Sequence, residues 1–134
     1  MRRRFIGFVC SIASVACIGM AAAKDLKLTR DAKSGVDSRI AYERAWDRDC
    51  KAVPVTVTIT QQPKSGTVSV VQGTSTIPAS TPRSGSTDCA GKTVTGNEIK
   101  YRSNAGFRGT DTVSYNVAKN NVAVGSTTIT INVK

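Results

Sequence analysis

Side chains that could support acid–base or metal chemistry are sparse in this chain. The 134 residues include no histidine, which removes the commonest general base and metal ligand. Serine and lysine are abundant, but no S-x-x-K spacing indicates a Ser–Lys dyad. Asp47 and Asp49 lie close in sequence beside Arg44, Arg48 and Lys51, a pattern typical of solvated ion pairs. We therefore expect no catalytic residue, no cofactor, no metal site and no enzyme activity.

Residues 1–23 have the three parts of a secretory signal peptide. Arg2 to Arg4 are basic, Phe5 to Met20 form an apolar stretch, and Ala21 to Ala23 offer a small-residue cleavage site. Cleavage there would leave 111 residues and lower the formal net charge from +10 to +7, because the segment carries three arginines and no acid. We expect export to the periplasm or beyond, with no membrane span after cleavage. An uncleaved anchor is the alternative, and the Sec and twin-arginine routes both stay open.

The cysteines divide between this segment and the rest of the chain. Cys10 and Cys17 would leave with the signal peptide, while Cys50 and Cys89 would remain. Ser14 is a poor match to the lipoprotein pattern before Cys17, so we expect no lipidation. Two cysteines in an exported domain predict one disulfide, and closing its loop of 39 positions contributes about 4 kcal/mol in the chain-entropy model. A zinc or redox pair is the alternative, but it lacks histidine and C-x-x-C spacing.

The excess of basic residues is the one compositional feature that points to a partner. Candidate polyanion-binding residues cluster in one stretch: Arg39, Arg44, Arg48 and Lys51. A second, looser group follows: Lys92, Lys100, Arg102 and Arg108. Outside the cytoplasm, such charge suits lipopolysaccharide, acidic glycans or nucleic acid. A basic surface that serves only solubility is the alternative.

Most of the chain after residue 52 alternates in the two-residue period of β-strands. Val53, Val55, Val57 and Ile59 alternate with polar residues in the first strand. We predict a turn over 61–66 that makes a hairpin with a strand over 67–71, and a further turn at Gln72-Gly73. The remaining predicted strands cover 74–77, 98–102, 112–118 and 122–133, with a turn over 119–121.

The last of these strands changes parity along its length. Val122 and Val124 are apolar at even positions, whereas Ile129, Ile131 and Val133 are apolar at odd ones. Since a slip of one residue reverses the two faces of a strand, we predict a β-bulge near Gly125-Ser126.

The segments before residue 52 have weaker patterns. Residues 24–35 are polar without an evident period, so we predict a flexible N-terminal extension, with the folded domain over 36–134. Residues 36–48 contain helix formers, but Ile40, Tyr42 and Trp46 share parity, and we favour a strand over a helix. Residues 78–96 are rich in Ser, Thr, Pro and Gly, so we predict a long loop pinned by Cys89. About seven short strands with one disulfide predict an all-β, antiparallel sandwich.

The stretch N-A-G-F-R-G-T-D-T-V-S-Y-N-V over 104–117 resembles the closing motif of bacterial Ig-like, cadherin-like domains. That motif reads G-F-x-G-x-D-x-aromatic-x-Y-x-apolar, and the Q-P-K-S-G-T-V stretch over 62–68 resembles the same family's P-x-x-G-x-V hairpin. Ser103 stands where the family commonly has proline, and Val113 where it commonly has phenylalanine. The resemblance covers about residues 53–133 and implies an Ig-like β-sandwich, with little information about a ligand.

The residues of this motif are each expected to have a role in the fold. Gly106 and Gly109 suit a tight turn, and Phe107 can cover the end of the sandwich. Asp111 and Tyr115 are similar to a tyrosine corner, in which the Tyr hydroxyl donates to backbone. The alternative for Asp111 is a calcium ligand, which would need six or more oxygens around the ion.

These observations predict an exported, non-catalytic Ig-like module, monomeric, that binds a protein or glycan. A basic envelope protein that binds polyanions is the alternative.

Overall fold

The structure, a computed structural model, describes residues 24–79 and 89–134, and this part of the chain is all-β. Its nine strands are β1 (Lys24–Ala32), β2 (Ser38–Glu43), β3 (Ala45–Trp46), β4 (Ala52–Val53), β5 (Val55–Gln61), β6 (Gly66–Thr76), β7 (Thr93–Ser103), β8 (Gly109–Lys119) and β9 (Val122–Val133). None of the described residues belongs to a helix that could cross a bilayer. The predicted signal peptide lies outside the described residues.

The strands form two main sheets that enclose one core. The first sheet has the order β1-β9-β8-β5, the second has the order β2-β7-β6, and β3 and β4 form a small separate ribbon. The core takes fully buried side chains from both sheets: Val113, Tyr115, Ile129 and Ile131 from the first, and Ile40, Ile99 and Tyr101 from the second. Since each sheet buries one face against the other, the predicted all-β sandwich is confirmed.

The segment that we predicted to be a flexible extension is instead strand β1. It pairs with β9 in parallel, in register from Lys24 opposite Gly125 to Ala32 opposite Val133. The close approach depends on Gly125, because a Cβ at that position would collide with the backbone carbonyl of Lys24. The sandwich is therefore not purely antiparallel, and it includes residues 24–32, which we placed outside the folded domain.

The predicted hairpin between the strands at 53–60 and 67–71 is also wrong. Among the described strands, β5 pairs with β8 alone and β6 with β7 alone, so residues 62–65 cross from the first sheet to the second. Each of the two strands has one apolar face. If they were paired side by side, both apolar faces would cover the core from the same sheet. The crossing lets β5 and β6 cover the core from opposite sides.

Gln72-Gly73 is not a turn, because β6 continues through it to Thr76. Gly73 pairs with Gly96 of β7, and a Cβ on Gly73 would lie 3.3 Å from the Glu98 side chain. Glycine at position 73 therefore lets the Glu98 side chain pack closely against the backbone of β6. The start of β7 at Thr93 likewise shortens the predicted loop of 78–96.

Other local predictions are confirmed. Residues 36–48 form strands β2 and β3, without helix. Asn120 and Asn121 both have positive φ, 47° and 64°, as the two-residue turn between β8 and β9 requires. In β9, Val117 faces Gly125 while Ala118 faces Ala123, so Val124 is the extra residue of a β-bulge. The bulge leaves Val122 and Val124 exposed, however, and they do not join the core.

The predicted disulfide between Cys50 and Cys89 is present, with a Cα–Cα distance of 5.3 Å. It belongs to a small second core with Ile77 and Val94, against which Trp46 packs. The bond joins the β3–β4 turn to the connection between β6 and β7. Residues 80–88 of that connection lie outside the described residues.

Candidate anion-binding groove

A groove of about 430 Å³ runs along β2, the edge strand of the second sheet. Its wall includes three arginines, an aromatic ring and the end of β6: Arg30, Arg39, Arg44, Tyr42, Ser75 and Pro78. Among the residues that the structure describes, no acidic side chain lines it. A concave surface with several guanidinium groups is suited to an anionic ligand.

A bulge in β2 gives the strand this arrangement. Arg39 pairs with Lys100 and Ala41 pairs with Ile99, so Ile40 is the extra residue. Ile40 is buried in the core at 1% exposure, while Arg39 lies on the solvent side. The Ile40 carbonyl accepts a hydrogen bond of 3.1 Å from Arg30 Nε. The bulge thus links β1 to β2 and places Arg30 at the groove.

Tyr42 and Arg44 are both fixed by hydrogen bonds to β6. The Tyr42 ring lies over Gly96, where a Cβ would come within 3.0 Å of it, and its hydroxyl donates to the Gly73 carbonyl at 2.8 Å. The Arg44 guanidinium lies 5.3 Å from the centre of this ring. Arg44 Nη1 also donates to Ser75 Oγ at 2.5 Å. These contacts hold the guanidinium in place, which lowers the entropic cost of binding a ligand.

Arg39 has a weaker, solvent-exposed partner. Its Nη1 lies 3.5 Å from Glu98 Oε1, and Lys100 Nζ lies 3.5 Å from Glu98 Oε2. Exposed ion pairs of this kind contribute little free energy, because water and salt screen them. One carboxylate between two cations leaves this edge of the groove with a net positive charge.

The structure brings together only half of the predicted polyanion-binding cluster. Arg39 and Arg44 line the groove, whereas Arg48 and Lys51 lie exposed around the β3–β4 turn and do not. Arg30 is a further lining residue, which the sequence does not predict because a flexible extension over 24–35 has no fixed place in the fold. The alternation of Leu26, Leu28 and Ala32 is a weak strand signal that could have located it.

The second predicted basic group is scattered. Lys100 lies beside Arg39 through their shared partner Glu98. Arg102 Nη1 lies 3.8 Å from Asp37 Oδ1. Lys92 and Arg108 are exposed and do not line the groove.

Asp111 is a buried carboxylate that holds turns together. At 4% exposure, it accepts hydrogen bonds of 2.9 Å from the backbone N–H groups of Lys64, Ser65 and Thr112 and from the Tyr101 hydroxyl. Burial by itself raises the pKa of Asp111, but these donors outweigh it and hold the pKa below the ordinary value. Two of these bonds fasten the β5–β6 crossing, which lies between Gln61 and Gly66.

Tyr115 differs from a tyrosine corner in its partner. Its hydroxyl donates to Glu43 Oε1 at 2.8 Å and not to backbone. Burial, and then the nearby Glu43 carboxylate, raise the pKa of Tyr115. The bond joins β8 of the first sheet to the end of β2, one residue before Arg44.

The rest of the motif forms the turn before β8. Gly106 and Gly109 have φ values of 78° and 136°, a region that favours glycine. Phe107 packs against the main core, and its ring lies 3.5 Å from the position of a Cβ on Gly109. These residues shape the end of the sandwich.

Comparison with known proteins identifies no relative, since no family model, curated protein or solved structure matches the chain. Within residues 24–79 and 89–134, no group of three or more His, Cys, Asp or Glu side chains could hold a metal ion. The groove with its three arginines is the candidate functional site of the described residues.

Proposed function

We propose that the chain is an exported, non-catalytic Ig-like binding module of the bacterial envelope, and that its β2 groove binds an acidic glycan. The observation that carries the proposal is the convergence of Arg30, Arg39 and Arg44 in one groove with the Tyr42 ring. Export rests on the pattern of residues 1–23.

The strand order supports the Ig-like part of the proposal. In the Ig fold, strands B, E and D are neighbours in one sheet, and strands C, F and G are neighbours in the other. The order β2-β7-β6 opposite β9-β8-β5 has this arrangement when β2 is strand B and β9 is strand G. β1 then lies beside strand G.

The chemistry of the groove favours a ligand with several carboxylate or sulfate groups. A guanidinium group donates two parallel hydrogen bonds to such an anion, and several spaced anions can engage several arginines together. Arg30 and Arg44 are already held by Ile40 and Ser75, so less side-chain freedom is lost on binding. The half-buried Tyr42 ring adds an apolar surface of the kind that packs against a sugar.

The buried ionisable groups of the described residues support a non-catalytic reading. Asp111 is hydrogen-bonded to Tyr101 and to backbone, and Tyr115 is hydrogen-bonded to Glu43. Each of them joins elements of the fold, and none lines the groove.

A comparison of two charge-matched variants tests the site. Arg39→Gln with Arg44→Gln removes two positive charges from the groove, and Arg48→Gln with Lys51→Gln removes two from outside it. Heparin serves as the sulfated probe, polygalacturonate as the carboxylated one and duplex DNA as a non-glycan polyanion, with affinity measured over a range of salt concentrations. We expect the groove variant to weaken glycan binding about tenfold or more, given the strength of charged hydrogen bonds, and the control to weaken it much less.

Three outcomes would contradict the proposal. Equal losses in both variants would indicate attraction by overall charge and no groove. Tighter binding of DNA than of either glycan would favour a nucleic-acid ligand. Absence of binding to all three probes at low salt would remove the polyanion function altogether.

A further inference from the structure

The four edge strands of the two sheets differ in how they are protected against pairing with another strand. β1 carries five charged residues among nine, and β2 has only six residues and a bulge. β5 has seven residues, with a register shift between Ile59 and Gln61. Charges, bulges and short length are the devices by which natural sheets avoid edge-to-edge association.

β6 has none of these devices. Its eleven residues, G-T-V-S-V-V-Q-G-T-S-T, include no charged residue and no proline, and its register with β7 is unbroken from Gly66 to Thr76. No strand of the described residues pairs with its outer edge. Val70 and Val71 in its middle are 37% and 36% exposed. An edge strand of this kind presents a row of unpaired N–H and C=O groups to a second strand.

We propose that two copies of this chain associate reversibly through β6, strand to strand and antiparallel. A two-fold axis passes through Val71, so that Val71 faces its own counterpart in the second copy. The two three-stranded sheets then become one continuous six-stranded sheet, and the contact is isologous.

The side chains of β6 fit a second copy of the same strand. With the axis at Val71, Val70 faces Gln72, Ser69 faces Gly73, and Val68 faces Thr74, so that no charged residue faces another. This register also keeps the core-facing side chains of both copies on one face of the joined sheet. The chain has a net charge of +10, and a neutral strand is where two copies can approach without close like-charge contacts.

The size of the contact sets its strength. Eleven residues at about 3.4 Å each give a seam of about 37 Å. The pairing of one strand edge buries less than the roughly 800 Å² per partner of a standard stable interface. The dimer is therefore weak, with a monomer prevailing in dilute solution.

Cross-linking at the two-fold axis tests the register. In the purified protein, Val71→Cys places two thiols on directly opposed residues, whose Cβ atoms are about 4.5–5.5 Å apart, close enough for a disulfide with a small shift. Ser69→Cys is the matched control, since its two copies would be about 14 Å apart along the strands. We expect oxidation to convert most of the Val71→Cys protein to a covalent dimer, and Ser69→Cys far more slowly. Equal rates would mean random collision and would overturn the proposed register.

Sedimentation equilibrium tests the association itself. We expect the wild-type protein to show a reversible dimer at about 1 mM, the range in which such small interfaces associate. Val71→Lys should abolish it, and Thr58→Lys, at an exposed position of the neutral edge strand β5, should leave it unchanged. A wild-type monomer at every concentration, or loss of the dimer only in Thr58→Lys, would overturn the proposal. Intact mass showing the Cys50–Cys89 bond, together with a wild-type circular dichroism spectrum, would verify that each variant is folded.

Discussion

At the scale of single residues, the ionisable groups inside this protein join elements that are distant in sequence. Asp111 of β8 binds the backbone of the β5–β6 crossing, and Tyr115 binds Glu43 at the end of β2. A buried carboxylate without an ion-pair partner is costly unless N–H and O–H donors satisfy it, and Asp111 has four. These residues therefore serve folding, and the charged groups on the surface are left for binding.

Replacing Asp111 tests this reading. Asp111→Asn keeps the size of the side chain but leaves one acceptor oxygen for four donors, so we expect a loss of about 1–3 kcal/mol or more in the free energy of unfolding, measured with urea. Asp37→Asn, at an exposed ion pair, is the control and should cost less than about 1 kcal/mol. A melting temperature that rises strongly with calcium, and loses this rise in the Asp111 variant, would reveal a metal site instead.

The same carboxylate predicts a pH dependence. Because the pKa of Asp111 is lower in the folded than in the unfolded protein, its stabilisation is complete above the unfolded value of about 3.9 and is lost as the pH falls through the folded value. We expect the free energy of unfolding of the wild type to fall more steeply below about pH 4 than that of Asp111→Asn. Parallel acid profiles for the two proteins would exclude Asp111 as the source.

The bond between Tyr115 and Glu43 can be measured by a double-mutant cycle. Tyr115→Phe and Glu43→Ala should each lower the free energy of unfolding by about 1–2 kcal/mol, and their effects should not add, because the first removes the donor and the second the acceptor of one hydrogen bond. Neither change should alter glycan binding at the groove once folded protein is compared. Fully additive losses would show that the two side chains act independently.

At the scale of elements, the disulfide fastens the parts of the fold that have the least core of their own. β3 and β4 have two residues each, and the second core contains only a few side chains around Cys50 and Cys89. Arg44 directly precedes β3, and Pro78 follows β6, so the bond also holds the far end of the groove. The bulges in β2 and β9 have a more local effect. Each one fixes the position at which alternate residues of the strand exchange the core side for the solvent side.

Removal of the disulfide should therefore weaken the domain as a whole. We expect Cys89→Ser to lower the free energy of unfolding by about 2–5 kcal/mol, the usual cost in a small exported domain. Urea unfolding with and without reductant provides the check, since reductant should destabilise the wild type and leave the variant unchanged. Two alkylated thiols in native, unreduced protein would refute the bond.

At the scale of the whole molecule, the two long sides of the sandwich differ in charge. Strands β1 and β2 carry Arg30 and Arg39, and Arg44 directly follows β2, while strands β5 and β6 carry no charged residue. The groove nevertheless reaches Ser75 and Thr76 at the end of β6, so that anion binding and pairing of copies meet at that end of the strand. In the proposed dimer, the two β2 strands lie five strand spacings apart, about 24 Å, on one sheet, so that one long polyanion could reach both grooves.

Export makes a prediction about the chain as it exists in the cell. We expect the exported protein to begin at Lys24, the first residue of β1, because the predicted cleavage site follows Ala23. Mass spectrometry of protein recovered from the envelope or medium would give the N-terminus directly. Retention of residues 1–23, or the mass of a diacylglycerol on Cys17, would contradict the prediction.

The sequence by itself determined the features that depend on local pattern. Alternating Val and Ile placed most strands after residue 52, the parity change in 122–133 located the bulge in β9, and the two cysteines that follow the predicted signal peptide predicted their bond. The paired asparagines at 120–121 suited only a tight turn. Each of these rests on the conformational preference of a few neighbouring residues.

Only the tertiary structure decided which strands are neighbours and which charges meet. β1 is mostly exposed and is stabilised by its pairing with β9, a partner about 100 residues away, so its own residues carry little strand signal. β5 and β6 separate into different sheets because both must cover one core. The pairing of β1 with β9 brings Arg30 into the groove with Arg39 and Arg44. Arg48 and Lys51 are closer to Arg44 in sequence but do not line the groove. Charge spacing along a chain does not specify distance in a sandwich, because each crossing between sheets brings together residues that are remote in sequence.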